Sequence, residues 1–341
     1  MKVIFIQNYL IHYRVDFYEE LSKYFEIIVI HSGKRLTSSK NNFKEIILPL
    51  HKIGPFFIQE NLLSTLKEEE PDKIVGMFDI RWLSIVRSMF YFEKKIDWIW
   101  WGLDKGSYIA DFFKKLLLMK SNKVVFYNKE IRAKYEDFNK NNFYVANNTI
   151  YVPDIALENT VNNDSFINVG SLHERKENEI AIHCFSKVLA STKKNLFFHL
   201  VGEGPEKRKL KKLAKDLDIE NNVIFHGHID SYQDLIPLYE RSYASVSYGQ
   251  AGLAVLQSIG FGTPFITRKN AISGGEIHNI VHGKNGYLVE SQEEVTREMT
   301  KLVLDSSHQS EMKKFCFSYY KDNCSIESMG KTFRDILNEN L

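Results

Sequence analysis

Short apolar runs alternate with amphipathic helical stretches from one end of this chain to the other, and that alternation narrows its possible folds more than any other feature. KVIFIQ, FEIIVIHS, KIVGMF, WIWWG and KVVFYN are brief Val, Ile and aromatic runs. Such runs are the pattern of strands covered on both faces. Between them lie segments such as RVDFYEELSKYF, with Phe17, Leu21 and Tyr24 on one helical face. The rhythm predicts a parallel sheet with helices on both sides. It restarts near residue 166 with FINVGS, then NLFFHLVGEG, NNVIFHGHI, YASVSYG, TPFIT and NGYLVE, and turns helical after residue 292.

A length of 341 residues exceeds the usual size of one core. The stretch ANNTIYVPDIALENTVNNDS is rich in Asn, Asp and Thr and reads as a linker. The predicted division is 1–158, 159–320, and a final helix in 321–341 that crosses back to the first domain. Two such domains would enclose a cleft at the carboxyl ends of their strands. A net charge of +2 gives no case for nucleic acid. Cys184, Cys316 and Cys324 show no metal-ligand or redox spacing, which argues for a reducing compartment and against zinc or a disulfide framework. The start MKVIFIQNYL lacks a cleavage pattern and no apolar run reaches bilayer length, so the expected location is cytoplasmic.

Three turns of the second half carry candidate chemistry. In FINVGSLHERKENEIAIHCF a strand runs into Gly170 and Ser171, then Arg175 and Lys176, then a helix. Backbone N–H groups at a helix start and an ammonium suit a phosphate, although a solvated basic turn has the same sequence. In HLVGEGPEKRKLKKLAKDLDIE, Gly202 and Gly204 end a strand and Pro205 suits a first helical turn. Leu210, Leu213 and Leu217 form the buried face there, while six Lys or Arg residues between 207 and 215 read as solvated surface. In SYGQAGLAVLQSIGFGTPFIT, a helix beginning near Leu253 leaves its first N–H groups unpaired, and Gly252 lets a ligand approach them. Ser247, Gly249 and Gln250 belong to the same turn.

Taken in order, these segments with GGEIHNIVHGKNGYLVE resemble the donor domain of the family 4 retaining glycosyltransferases. The resemblance covers roughly residues 166–292, and more loosely YVANNTI and the first strand. It implies the α/β GT-B architecture, two Rossmann-like parallel-sheet domains facing a cleft. It further implies metal-independent, retaining transfer of a hexose or deoxyhexose from a nucleotide-sugar to a hydroxyl of a growing glycan, in surface polysaccharide or lipid-linked oligosaccharide assembly. No cofactor is implied, since the nucleotide-sugar is a substrate. Lys176 takes the place of the lysine that holds the diphosphate. Ser171 stands where the family has an arginine, with Arg175 as the nearby substitute. Gly170, Gly202, Gly204, Gly252 and Leu253 fall in the donor-binding turns, and the base-binding segment corresponds to His228 and Ile229.

The family's two glutamates, one facing the sugar and one the ribose, are replaced by Gly249 and Gln257. A deoxy or modified sugar, an inward-turned Gln250, or a catalytically silent nucleotide-sugar-binding subunit that supports a partner transferase would each account for the change. The retained Lys176 and the Gly274–Gly275–Glu276 turn argue against decay. By the same resemblance the first domain holds the acceptor, through Asn8, Tyr9 and Arg14. His12 either orients the acceptor hydroxyl or is a surface residue, and Asp104 is a further catalytic candidate. Residues 112–142 carry eight Lys or Arg against three acids. The stretch 112–134 is therefore either a peripheral contact with anionic lipid on the inner face of the membrane or an ordinary helix with Phe113, Leu116 and Leu117 packed on the sheet.

Overall fold

In this computed structural model the described residues are 1–102, 108–135, 142–154 and 163–339. They form two units, one of Met1–Thr149 with Ile326–Leu341 and one of Ile150–Ser325. The first unit contains β1 (Lys2–Ile6), β2 (Glu26–His31), β3 (Lys44–Ile47), β4 (Leu50–Ile53), β5 (Phe56–Gln59), β6 (Lys73–Met77), β7 (Asp97–Gly102), β8 (Lys123–Phe126) and β9 (Phe143–Val145). Seven of these make one parallel sheet in the order β3-β2-β1-β6-β7-β8-β9, and β4 and β5 form a separate antiparallel hairpin. The second unit contains β10 (Ser165–Val169), β11 (Phe197–Val201), β12 (Val223–Gly227), β13 (Ser242–Val246), β14 (Phe265–Arg268) and β15 (Gly286–Val289), ordered β12-β11-β10-β13-β14-β15.

The apolar runs become central strands because both of their faces are covered. Along β1, Val3 and Phe5 pack with Phe17, Tyr18, Leu21 and the Met329 and Phe333 side chains of the last helix, Ile326–Asn338. Ile4 and Ile6 point the other way, into a cluster with Ile85, Met89, Trp98 and Trp100. β10 alternates likewise, with Phe166 in one cluster and Ile167 in another.

Two packing expectations change. Tyr24 is 51% exposed and lies beneath Arg334, because the helix bearing Phe17 and Leu21 stops at Ser22. In the helix Tyr108–Lys120, Leu117 and Leu118 are buried whereas Phe113 and Leu116 are exposed. The segments β3, β4 and β9 escape the reading of apolar runs. β3 is an edge strand bearing Lys44 and Glu45, β4 is exposed along its whole length, and β9 has three residues.

Each parallel sheet reverses its winding once, between β1 and β6 in the first unit and between β10 and β13 in the second. In open α/β sheets ligands bind beyond the carboxyl ends of the strands at that reversal.

Candidate functional site

In the second unit the reversal opens on a cavity of about 450 Å³ lined by the residues after β10 and after β13. Beyond β10 the chain passes Gly170 and Ser171 and makes a single tight turn, Glu174–Lys176, that folds Lys176 back. The Lys176 Nζ lies 3.2 Å from where a Cβ on Gly170 would stand, so a side chain at 170 would crowd the ammonium. Lys176 is only 7% exposed. Burial, and then the neighbouring Arg175 guanidinium, holds its pKa below the ordinary lysine value. Among the described residues no carboxylate pairs with it. A buried cation without an internal counter-ion is costly, and one lining a cavity is placed to meet an anion.

Beyond β13, the Ser247 hydroxyl donates to the Gln250 carbonyl at 2.8 Å and closes the second turn. Gly252 has open space before it, the nearest atom to a built Cβ being Gln250 Nε2 at 3.9 Å. The helix that follows, Ala254–Gly260, has seven residues. The Gln250 Oε1 is buried without a partner among the described residues. The Gln257 Oε1 accepts from the Tyr239 hydroxyl at 3.2 Å. Gly170, Ser171, Arg175, Lys176, Gln250, Gly252, Leu253 and Gln257 all line the one cavity.

Other expected donor residues are used differently. The Gly249 N–H donates to the Lys176 carbonyl at 3.1 Å, and its carbonyl accepts from the Ile272 N–H at 2.9 Å. A Cβ at 249 would stand 2.4 Å from the Arg175 carbonyl oxygen. Gly249 therefore fastens the two turns together and offers a ligand nothing. Gly202 and Gly204 also sit off the cavity: built Cβ atoms would fall 2.0 Å from the Gly170 oxygen and 2.3 Å from the Leu172 oxygen. These glycines admit the neighbouring turn, which Leu172 secures by donating to the Glu203 carbonyl at 2.9 Å. His228 bonds Asp230 at the surface, and Ile229 packs into the Tyr239 cluster; neither lines the cavity.

The first unit holds a larger cavity, about 670 Å³, at its own reversal. Asn8, Tyr9 and Arg14 line it, and His12 does not. Arg14 is firmly committed: Nη2 donates to the Tyr127 hydroxyl at 3.1 Å and to Asn148 Oδ1 at 2.7 Å, and the guanidinium lies 4.6 Å over Trp101. It braces the wall of the cavity. His12 is exposed and meets the Tyr13 ring edge-on. Asp104 lies outside the described residues. Three charged residues not read as candidates also line this cavity, Asp79, Arg81 and Lys114. Arg81 donates to both Asp79 carboxylate oxygens, Nε to Oδ1 at 3.0 Å and Nη2 to Oδ2 at 2.6 Å. The signal for the first two is the place of MFDIR at the end of β6, beside β1, and it emerges only with the strand order.

Residues 156–316 match the family described as Glycosyl transferases group 1. Over 174 residues the chain is 25% identical to the N-acetyl-alpha-D-glucosaminyl L-malate synthase of Bacillus anthracis, covering 51% of this chain and 44% of that protein. It is 30% identical over 174 residues to an uncharacterized glycosyltransferase of Haemophilus influenzae, covering 49% and 47%. The chain thus spans about half the length of the curated relatives it matches. In fold it is similar to the crystal structure of a glycosyltransferase from Rickettsia africae, with a TM-score of 0.77 over 99% of both chains at 15% identity. Two Rossmann-like parallel sheets of this order give the chain the GT-B fold.

Proposed function

We propose that this chain is a glycosyltransferase that takes a sugar from a nucleotide-sugar held in the second unit and passes it to a hydroxyl of a glycan or lipid-linked acceptor held in the first. The observation that carries the reading is the buried Lys176 ammonium, with no paired carboxylate among the described residues, on a cavity walled by the Gly252 turn. Transfer requires the diphosphate to leave as its negative charge grows, and preorganised cations and backbone donors stabilise that charge. Lys176 and Arg175 supply it from protein groups, so the proposed step is metal-independent. Retention follows if the departing phosphate takes the proton of the acceptor hydroxyl on the face it vacates, which needs no protein base.

The test is slow hydrolysis of a nucleotide-sugar by the purified chain in the absence of acceptor. Wild-type protein should release free sugar, and Lys176→Ala should lower the rate by about 10- to 100-fold, the range for losing a charge-assisted contact. Unchanged hydrolysis in the variant would remove Lys176 from the reaction. A second reading, a silent nucleotide-sugar-binding subunit, is favoured by Gly249 and Gln257 standing where the resemblance places two acids. Nucleotide-sugar binding without any hydrolysis would select it.

A peripheral membrane contact is the remaining part of the proposal. No helix of the described residues is long and apolar enough to cross a membrane. Phe113 and Leu116 nevertheless lie exposed on the helix that carries Lys120, which reaches over the exposed Phe90 ring at 5.5 Å.

A further inference from the structure

The acid expected at position 249 has not merely been trimmed away. The backbone there has closed against the Glu174–Lys176 turn, with the Arg175 oxygen 2.4 Å and the Glu177 Cγ 2.9 Å from any Cβ. No side chain at 249 can reach the cavity while that turn holds Lys176 in place. If a sugar lies beside the diphosphate, its hydroxyls must be met from another element.

Such an element is present. Gly249 and Ala251 exchange backbone hydrogen bonds with Ile272, both at 2.9 Å, so residue 272 pairs alongside Gln250. That pairing sets the 273–276 turn next to the turn at 249–252. Glu276 ends it and lines the same cavity as Lys176 and Gln250 while being only 7% exposed. Its Oε2 accepts the Gly274 N–H at 2.9 Å and the Ser273 hydroxyl at 3.3 Å. The Ser273 Oγ in turn accepts the N–H groups of Gly275 and Ile277, each at 3.1 Å. A Cβ on Gly274 would stand 3.1 Å and 3.3 Å from the two carboxylate oxygens, so glycine there leaves the carboxylate its space.

A carboxylate offers about four acceptor positions. Ser273 and Gly274 are among the groups that fix its orientation. Lys176 and Glu276 both line the cavity, so its wall carries an ammonium and a carboxylate. A ligand with an anionic group next to a set of hydroxyl donors matches both.

Resting on the donor-site reading above, we propose that Glu276 supplies the carboxylate that binds the hydroxyls of the donor sugar, in place of a side chain at 249. The donor class is then a nucleotide-sugar with free hydroxyls on the face turned to Glu276, rather than a sugar deoxygenated there. The proposal makes Glu276 a specificity-determining residue and leaves the diphosphate to Lys176.

Full-length protein should be titrated with UDP and GDP and with UDP-glucose, UDP-galactose, UDP-N-acetylglucosamine, GDP-mannose and dTDP-rhamnose, then assayed for hydrolysis of whichever donor binds. Glu276→Gln keeps an acceptor for the Gly274 N–H and so should preserve the turn and the melting temperature. Its affinity for the free nucleotide should stay within about twofold, while kcat/KM for the nucleotide-sugar should fall by about 10- to 100-fold. Glu276→Asp should recover part of that loss. An unchanged kcat/KM in Glu276→Gln overturns the proposal and leaves the donor-site reading standing. Equal loss of nucleotide and nucleotide-sugar binding, with a lowered melting temperature, also overturns it and makes Glu276 a clamp of its turn. If wild-type protein binds no nucleotide at all, the donor-site reading falls and the proposal falls with it.

Discussion

Position 249 shows how one residue can be misread from its type alone. A glycine in a turn with little bulk invites a ligand, but this one is filled by the Arg175 carbonyl. Gly249→Glu, which would restore the acid of the resemblance, should therefore destabilise the fold by about 1–3 kcal/mol, the usual cost of overpacking, and weaken nucleotide binding by displacing Lys176. Calorimetric melting and a nucleotide titration check this together. A stable variant with raised transferase activity would show that the two turns can part. Lys176 and Arg175 stood out only through the order of the glycine turns around them, because a basic pair after a strand–glycine turn reads equally as solvated surface. Gly202 and Gly204 were not, because sequence cannot say whether a ligand or the chain's own Gly170–Leu172 turn makes the close approach. Glu276 had no assigned role for a related reason: a backbone pairing between residues 250 and 272 brings it to the cavity.

At the scale of elements, β11 and β12 are joined near their middle by an unusual contact. His199 Nδ1 and His226 Nε2 are 2.9 Å apart, so one neutral ring donates and the other accepts. Burial, and then the His226 charge, with Arg241 opposing and Asp164 favouring protonation, moves the His199 pKa from 6.5 down to about 4. The unfolded chain thus binds the proton more tightly than the folded one between those values. Stability contributed by the neutral pair is complete above pH 6.5 and is lost as the pH falls toward 4. The loss should be on the order of 3 kcal/mol, at about 1.36 kcal/mol for each pH unit between the two values. Urea melts at a series of pH values should show that slope, and His199→Gln should flatten it; identical slopes would mean that other groups govern the acid limb. Central strands such as β1 and β10 were read from apolar runs, since burial on both faces leaves no polar alternation to confuse. The edge strand β3 and the exposed hairpin strand β4 mix polar residues into only four positions, too little apolar sequence for that signal.

Across the whole molecule, two sheets reverse their winding and each reversal carries a cavity, one walled by Lys176 and Glu276 and one by Asn8, Asp79 and Arg81. The restart of the strand–helix rhythm made the existence of two sheets readable. The order of strands within each was not, because pairing between distant segments leaves no periodic trace, and so Asp79 and Arg81 went unread. The exposed Phe113 and Leu116 belong to this scale too, since they concern where the protein works. If that face meets lipid, the chain should sediment with vesicles containing phosphatidylglycerol and not with pure phosphatidylcholine, and Phe113→Ser with Leu116→Ser should release it. Equal sedimentation of the variant would assign those side chains another purpose. The central claim, that Lys176 and its cavity bind a nucleoside diphosphate sugar, is tested most directly by thermal unfolding of wild-type and Lys176→Ala protein against UDP, GDP, dTDP, CMP and their sugars. One nucleotide family should stabilise the wild-type chain by about 2.7 kcal/mol at one hundred times its dissociation constant and leave the variant nearly unmoved. Stabilisation by none of them, or by the same amount in both proteins, would contradict the account.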